Sequence, residues 1–280
     1  MNPILHSDRF AAGPAVKNDI EMGTVLPQLV SEIVEVAKRR RILYWSLRIP
    51  LNSSFVKVAP QCGFQIESSP ECSIVLHTSE KPEALWKRMP YDGLRTCVKK
   101  AEREGVGVKE SVDLTDLMDY FAVKKSRDIE LGIPGEEAVT RRSRELSDAI
   151  HRLFVCRGKA KLFLATHQAR IIGGALVFHQ HDRAYLWNMG SLQTAWRMHP
   201  NHMLVWHIIK WANDSGINSI NLGTMFRTSG SYYFVQRNLT EYEVVDHVVL
   251  TLPINRTWYR FRTAYHALRA RARRPPRTLN

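Results

Sequence analysis

The chain has 280 residues, of which 44% are hydrophobic and 24% charged, and its formal net charge is +13. These proportions are ordinary for a globular protein and argue against intrinsic disorder. The four cysteines are scattered and form no CxxC pair: Cys62, Cys72, Cys97 and Cys156. This spacing argues against a disulfide framework or a zinc site and favours a reducing compartment.

The N-terminal residues and the apolar runs of the chain indicate where in the cell the protein is found. The N-terminal MNPILHSDRF has no basic segment followed by an apolar core, so no signal peptide is predicted. No apolar run approaches the roughly 20 residues of a membrane-spanning helix. We therefore expect a cytoplasmic protein, with peripheral association at the inner membrane face left open.

A basic helical tail is predicted over 256–280. Residues 251–280 contain no acid and eight arginines: Arg256, Arg260, Arg262, Arg269, Arg271, Arg273, Arg274 and Arg277. Such a tail attracts polyanions such as nucleic acid, an anionic membrane surface or phosphorylated substrates. A solvated helix with a frayed end is an equally good interpretation.

Apolar spacing predicts alternating helices and strands in the first part of the chain. The predicted elements are an amphipathic helix over 22–39, a strand Ile42–Ile49, a helical turn Phe55–Ile66, a strand Ser73–His77 and a helix Lys81–Arg88. Ser79 is the expected N-cap of the last of these helices. A second helix follows Pro90 and runs from Asp92 to Glu104, with Arg95 and Lys99 on its basic face.

Two further helices precede the central sheet. The first begins after Asp113, its expected cap, and the second covers Glu136–Val155. The chain then divides into two α/β portions, 22–110 and 111–255.

The stretch from Lys161 to Leu250 predicts a mixed sheet that opens at one point. Three antiparallel strands come first: Lys161–His167, Ile171–His179 and Ala184–Asn188. A crossover helix (Asn201–Asp214) and a short strand (Ile217–Leu222) follow. A Gly/Ser loop then leads to a final strand pair around Glu243–Leu250. Gly173 and Gly174 indicate a β-bulge. Such sheets bind ligands where strands diverge, beside the N-terminus of the crossover helix.

Two blocks of sequence carry a resemblance to a known family. The first is the helix block from Trp86 through Arg95 and Ala101 to Val106. The second runs from Gly173 to Leu239 and includes the Leu222-Gly223 pair. Together they resemble the FemAB-like (Fem-related) branch of the GNAT acyltransferase superfamily. The resemblance implies a mixed α/β GNAT fold in tandem, with an abbreviated N-terminal unit (22–110) and a complete C-terminal unit (111–255).

The resemblance also implies an N-acyltransferase that moves an acyl group from acyl-CoA to an amine. In the peptidoglycan-bridge members of the branch the donor is aminoacyl-tRNA and the acceptor a cell-wall precursor, which is the alternative. Three positions depart from the family pattern: Gln193–His202 replaces the glycine-rich phosphate loop, Asn221 replaces an acid and Val235 a lysine. These departures leave a third possibility, a non-catalytic polyanion-binding protein that keeps the GNAT fold. The oligomeric state and the acceptor are left open.

The start of the crossover helix is the expected donor site. Pro200 and Asn201 open this helix, whose free backbone N–H groups favour phosphate. The candidate donor-binding residues are Arg197, His199, Asn201 and His202. A simple helix start capped by Asn201 is the alternative. No metal is expected, because no carboxylate completes a ligand set with the histidines.

The Gly/Ser loop and the basic helix face supply the remaining candidates. Tyr232 and Tyr233 are the candidate catalytic acids, since a tyrosine hydroxyl can protonate a leaving group; packing at the sheet edge is the alternative. The candidate substrate-binding residues are Arg95, Lys99, Arg227, Ser229 and Ser231. Surface charge and turn formation explain them equally well.

Overall fold

The computed structural model describes residues 5–6, 19–42, 44–132 and 144–255 and positions 257, 260 and 264, with side chains from residue 27 onward. The chain divides into two compact units: Met1–Cys72 with Val245–Asn280, and Ser73–Val244. Residues 73–110 thus belong to the second unit. The division into GNAT-like portions at 22–110 and 111–255 stays a prediction.

Helices and strands alternate along the chain. The helices are α1 (Asp19–Arg39), α2 (Ser54–Val58), α3 (Pro82–Arg88), α4 (Thr96–Arg103), α5 (Leu114–Glu130), α6 (144–150), α7 (Pro200–Asp214) and α8 (Gly230–Asn238). The strands are β1 (Leu5–His6), β2 (Tyr44–Pro50), β3 (Gln65–His77), β4 (Gly107–Ser111), β5 (Ala160–His167), β6 (Arg170–Gln180), β7 (Arg183–Ser191), β8 (Ser219–Phe226) and β9 (Tyr242–Pro253). The shorter helical segments are Ala59–Cys62 and Gln193–Met198 (3₁₀) and Tyr91–Arg95 and His151–Val155 (π).

The first unit is built on β2 and the C-terminal part of β9. These strands pair antiparallel, from Tyr44 opposite Pro253 to Pro50 opposite His247. Alternate residues of β2 enter the core, where they pack with apolar residues of α2, of the turn before β3 and of β9: Trp45, Leu47, Ile49, Phe55, Phe64 and Leu250. Each fully buried apolar side chain of this size contributes roughly 1.5–3 kcal/mol to folding.

The second unit has a sheet with helices on both faces. Its strands run in the order β8-β7-β6-β5-β4, with β4 to β7 mutually antiparallel and β8 parallel to β7. Side chains of β5 alternate between the faces. Leu162 and Leu164 pack with Tyr120 of α5, whereas the Phe163 ring contacts Trp211 of α7 at 5.4 Å between centroids.

Two local features of this sheet match the sequence predictions. The β5–β6 turn is tight, with positive φ at Gln168 and Ala169. The pairing skips one residue of β6 beside Gly173, which confirms a bulge there. At Gly174 a Cβ atom would lie only 2.5 Å from the Tyr120 ring, so a side chain would displace α5.

Several predictions are wrong in detail. The Gly/Ser loop was expected to lead into strands, but it leads into helix α8, and β9 is one strand rather than a pair. Ser79 is not the N-cap of α3: the cap is Lys81, because Pro82 sets the first helical position. Asp113 is at the N-cap position of α5, but its side chain makes no capping hydrogen bond.

Some predictions fall outside the described residues. These are the first part of the Glu136–Val155 helix and most of the basic tail 256–280, of which only positions 257, 260 and 264 are described, each as helical. Among the helices that the structure describes, none is long and apolar enough to cross a membrane.

Candidate functional site

Strands β7 and β8 diverge at their C-terminal ends. Their parallel ladder runs from Arg183 opposite Ser219 to Tyr185 opposite Asn221 and ends there, although β7 continues to Ser191 and β8 to Phe226. β7 stays paired with β6 as far as Ser191. The sheet therefore opens between two parallel strands joined by the crossover helix α7, which is where open α/β sheets bind ligands.

The side chain of Asn221 fixes the point of divergence. Its Nδ2 donates to the Tyr185 hydroxyl at 2.9 Å, and its Oδ1 accepts from the Gly223 N–H at 2.8 Å. Gly223 has a φ of +90°, and a Cβ there would lie 3.3 Å from the Leu186 carbonyl oxygen. Burial raises the pKa of Tyr185, and the Asn221 hydrogen bond acts in the opposite direction. Asn221 thus joins the two strands where their ladder ends.

A short 3₁₀ helix stands where the family pattern has a glycine-rich loop. It covers Gln193–Met198 and ends at His199, whose φ of 55° lies in the left-handed region. The Gln193 N–H donates to the Glu130 carboxylate at 3.3 Å, and the Trp196 indole donates to the Ser191 carbonyl at 3.3 Å. The connection between β7 and α7 is therefore tied to α5 and to the end of β7.

The predicted residues His199 and His202 come together at the start of α7, and Cys97 of α4 joins them. One ligand atom from each of the three side chains lies within 4.8 Å of the others. The two imidazole rings are 5.1 Å apart between centroids, and the Phe234 ring of α8 packs 4.8 Å from His202. Sequence reasoning missed Cys97 as a site residue, because only the fold brings α4 against α7.

Burial governs the protonation of this cluster. It lowers the pKa of His202 to about 4, assisted by the neighbouring His199 and opposed by the Asn238 side chain. It also lowers the pKa of His199, assisted by Lys100 and opposed by Glu104. At neutral pH both imidazoles are therefore uncharged. Burial raises the pKa of the Cys97 thiol, whereas Arg237 and Lys100 act to lower it.

The two candidate tyrosines lie in different surroundings on α8. Tyr232 is buried, and its hydroxyl accepts a hydrogen bond from Arg227 Nη1 at 3.2 Å. Tyr233 is 60% exposed. Ser229 is the N-cap of α8: its Oγ accepts from the Tyr232 N–H at 3.2 Å while its hydroxyl donates to the Phe226 carbonyl at 2.7 Å. Ser231 is exposed.

The other predicted residues are spread around α4 and α7. The Arg95 guanidinium lies over the Tyr91 ring at 5.5 Å and the Trp86 ring at 6.0 Å, whereas Lys99 is exposed. Arg197 is exposed on the 3₁₀ helix. The Asn201 Oδ1 atom is buried in the first turn of α7 without a hydrogen bond. Their assignment to donor or substrate binding stays a prediction.

A buried carboxylate near the end of β7 was not singled out in the sequence. Asp128 of α5 is 3% exposed and pairs with Lys124 and, at 2.8 Å, with Arg127. The Arg127 side chain packs against Gly190, where a Cβ would meet its Cδ atom at 3.2 Å. The cluster therefore holds α5 against β7 close to the divergence. No local signal marked it, because an aspartate that follows basic residues is usual on exposed helix faces.

Several solved structures are similar in fold to this chain. FemX has a TM-score of 0.65 at 13% identity, covering 85% of this chain and 79% of that one. L-PGS from Bacillus licheniformis has a TM-score of 0.56 at 13% identity, covering 83% and 74%. A tandem GNAT protein from the clavulanic acid biosynthesis pathway has a TM-score of 0.54 at 14% identity, covering 81% and 69%.

At these identities the likeness establishes the fold, and it confirms the predicted mixed α/β GNAT architecture. Comparison with curated protein sequences gives no significant match. A family model described as an acetyltransferase (GNAT) domain matches residues 92–234, a span that contains α4, the diverging strands, α7 and the start of α8. Since this match covers just over half of the chain, the chain belongs to the GNAT acetyltransferase-domain family.

Proposed function

We propose that the protein is an N-acyltransferase that moves an acyl group from acyl-CoA to an amine. The observation that carries this proposal is the divergence of β7 and β8 beside the start of α7. Beyond Tyr185 and Asn221 the facing edges of the two strands no longer pair with each other. An extended, amide-containing arm such as that of CoA can pair with such a strand edge as an added strand does.

The start of α7 suits the phosphates of the donor. This helix of 15 residues begins at Pro200, and the positive end of its dipole favours an anion. Arg197 is exposed in the preceding 3₁₀ helix and adds a side chain that binds phosphate well. These features support donor binding by the predicted set Arg197, His199, Asn201 and His202.

Acyl transfer requires a proton for the departing thiolate, and Tyr232 is the better placed of the two candidates. Its oxygen accepts a hydrogen bond from Arg227, so this contact does not use the tyrosine O–H proton. The amine nitrogen attacks the thioester carbonyl and forms the amide C–N bond, the C–S bond breaks, and the thiolate takes the tyrosine proton. The proton that the amine nitrogen loses restores the tyrosine hydroxyl. Tyr233 is largely exposed, which leaves it less suited to orient a proton.

Donor-dependent stabilisation tests this proposal. A ligand that binds only the native state raises its stability by about 2.7 kcal/mol at 100 times Kd. We expect acetyl-CoA or a longer acyl-CoA to raise Tm in a saturable manner, with ATP at equal concentration as the control for non-specific phosphate binding. No difference between acetyl-, malonyl- or long-chain acyl-CoA and ATP would contradict an acyl-CoA donor.

A second candidate donor is aminoacyl-tRNA, with a cell-wall precursor amine as acceptor. The 3₁₀ helix in place of a glycine-rich loop favours it, together with the exposed Lys99 and Arg103 of α4. If aminoacyl-tRNA is the donor, adding acyl-CoA should not raise Tm. Affinity for tRNA then falls steeply with salt, because bound phosphates release counterions. A non-catalytic protein would bind tRNA without transferring an acyl group.

A further inference from the structure

Helix α4 and the start of helix α7 bring together three side chains that can bind a metal ion, all within the second unit. Cys97 comes from α4, and His199 and His202 come from the start of α7, with their ligand atoms within 4.8 Å of one another. Phe234 of α8 covers the His202 ring. Among the described residues, no other group of three cysteine, histidine or acidic side chains is so arranged.

The donor atoms determine which cations fit. One sulfur and two imidazole nitrogens suit zinc and its transition-metal neighbours, whereas Mg²⁺ and Ca²⁺ require oxygen ligands. Lys100 and Arg237 also lie close enough to act on Cys97 electrostatically. A cation at this position must therefore be held by coordination to soft donors rather than by a negative surrounding field.

We propose that Cys97, His199 and His202 bind a zinc-class transition-metal ion. Three protein ligands leave one tetrahedral position for water or a substrate group. Metal–ligand distances of about 2.0–2.3 Å place neighbouring ligand atoms roughly 3.5 Å apart. Because all three ligand atoms lie within 4.8 Å of one another, no pair has to close by more than about 1.3 Å on binding. The ion joins α4 to the first turn of α7 and takes His199 and His202 as ligands. In the metal-bound protein donor phosphate would therefore meet the ion's open position, Arg197 and Asn201 rather than the two imidazole rings. This proposal reverses the sequence-based expectation of no metal, which considered only a carboxylate as the third ligand.

A polar side chain beside His202 is suited to orient a metal-ligating imidazole. The Asn238 side chain interacts with the imidazole. The contact falls short of a well-formed hydrogen bond, since His202 Nδ1 and Asn238 Oδ1 are both buried without one. A ligating histidine commonly donates its other N–H to an oxygen of this kind, which fixes the orientation of the ring. Ligation of His202 would order this pair.

Cobalt substitution tests the site without any assay of activity. The tag-free full-length protein, reduced and stripped with chelator, is titrated with Co²⁺ and then with Zn²⁺. We expect one Co²⁺ per chain with a near-ultraviolet thiolate-to-metal charge-transfer band, displaced by Zn²⁺. Cys97→Ser should abolish the band and weaken zinc binding more than about tenfold, and zinc should raise the Tm of the wild-type protein but not of Cys97→Ser.

A matched control exists in the same unit. The Cys156 Sγ atom lies 3.5 Å from the His151 ring nitrogens, so this pair offers the same donor types without a third ligand among the described residues. Cys156→Ser should leave the cobalt band and the zinc-dependent Tm unchanged. The proposal is overturned if the folded wild-type protein shows no thiolate–cobalt band. It is also overturned if Cys97→Ser keeps the band, or if Cys156→Ser alone removes it.

Discussion

At the scale of single residues, Tyr232 and Tyr233 show how adjacent positions on one helix acquire different roles. Consecutive residues on a helix point about 100° apart, so only one of them turns towards Arg227 and the interior. Tyr232 is that residue, with 8% exposure against 60% for Tyr233. Its N–H is also the group that Ser229 caps, which fixes the first turn of α8.

The two tyrosines therefore provide a matched pair for testing proton transfer. Tyr232→Phe removes the hydroxyl proposed to protonate the leaving thiolate, and we expect the rate of thiol release from the bound acyl donor to fall by about 10²- to 10⁴-fold. Tyr233→Phe should keep the wild-type rate. Circular dichroism and Tm check that both variants fold, and an undiminished rate in Tyr232→Phe would remove this residue from the mechanism.

At the scale of elements, the approach of the π turn Tyr91–Arg95 to helix α8 depends on Gly93. Its backbone is non-helical, with φ −120° and ψ −119°. A Cβ atom at this position would lie 2.4 Å from the Arg237 carbonyl oxygen and 3.3 Å from the Asn238 Cα atom. Since both are backbone atoms, α8 cannot yield by rotating a side chain.

Gly93→Ala should accordingly destabilise the protein by about 1–3 kcal/mol, the usual cost of overpacking. Gly230→Ala is the control, because a Cβ there meets no atom within 4 Å. Alanine also favours a helix start over glycine, so this variant should be neutral or slightly more stable. Urea denaturation measures both free energies of unfolding, and equal values would show that α8 does not pack on Gly93 as described.

Helix α8 also shows why the sequence predicted some elements and not others. Strands β5 to β7 and helix α7 have strong apolar periodicity, and their predicted positions are confirmed. The segment Ser229–Gly230–Ser231 has the composition of a turn, and α8 has only nine residues, too few for a clear period. Ser229 acts as an N-cap there, which uses the same side-chain chemistry as a turn.

The sequence predicted only those candidate site residues that lie beside a recognisable local feature such as a helix start. His199 and His202 stand out in the sequence because they flank a helix start, and in the structure their rings lie 5.1 Å apart between centroids. Cys97 and the Tyr185–Asn221 hydrogen bond depend on contacts between segments far apart in the chain. Periodicity carries no information about such contacts, so these residues became visible only in the folded structure.

At the scale of the whole molecule, the positive net charge is compatible with the proposed anionic donor. The net charge is +13, and the family match covers the segment that forms this opening. Positive charge speeds the encounter with polyphosphates of any kind, so it favours acyl-CoA and tRNA alike. The donor must therefore be identified by where it binds, and the distinguishing location is the divergence of β7 and β8.

Amide hydrogen exchange with and without acyl-CoA tests that location most directly. We expect a saturating acyl-CoA to slow exchange in peptides covering 186–203 and 221–233, which include the ends of β7 and β8 and the start of α7. Peptides of β2 in the first unit should exchange at the same rate with and without donor. The account is contradicted if acyl-CoA binds and protects other segments while 186–203 stays unchanged, or if acyl-CoA protects no segment at all.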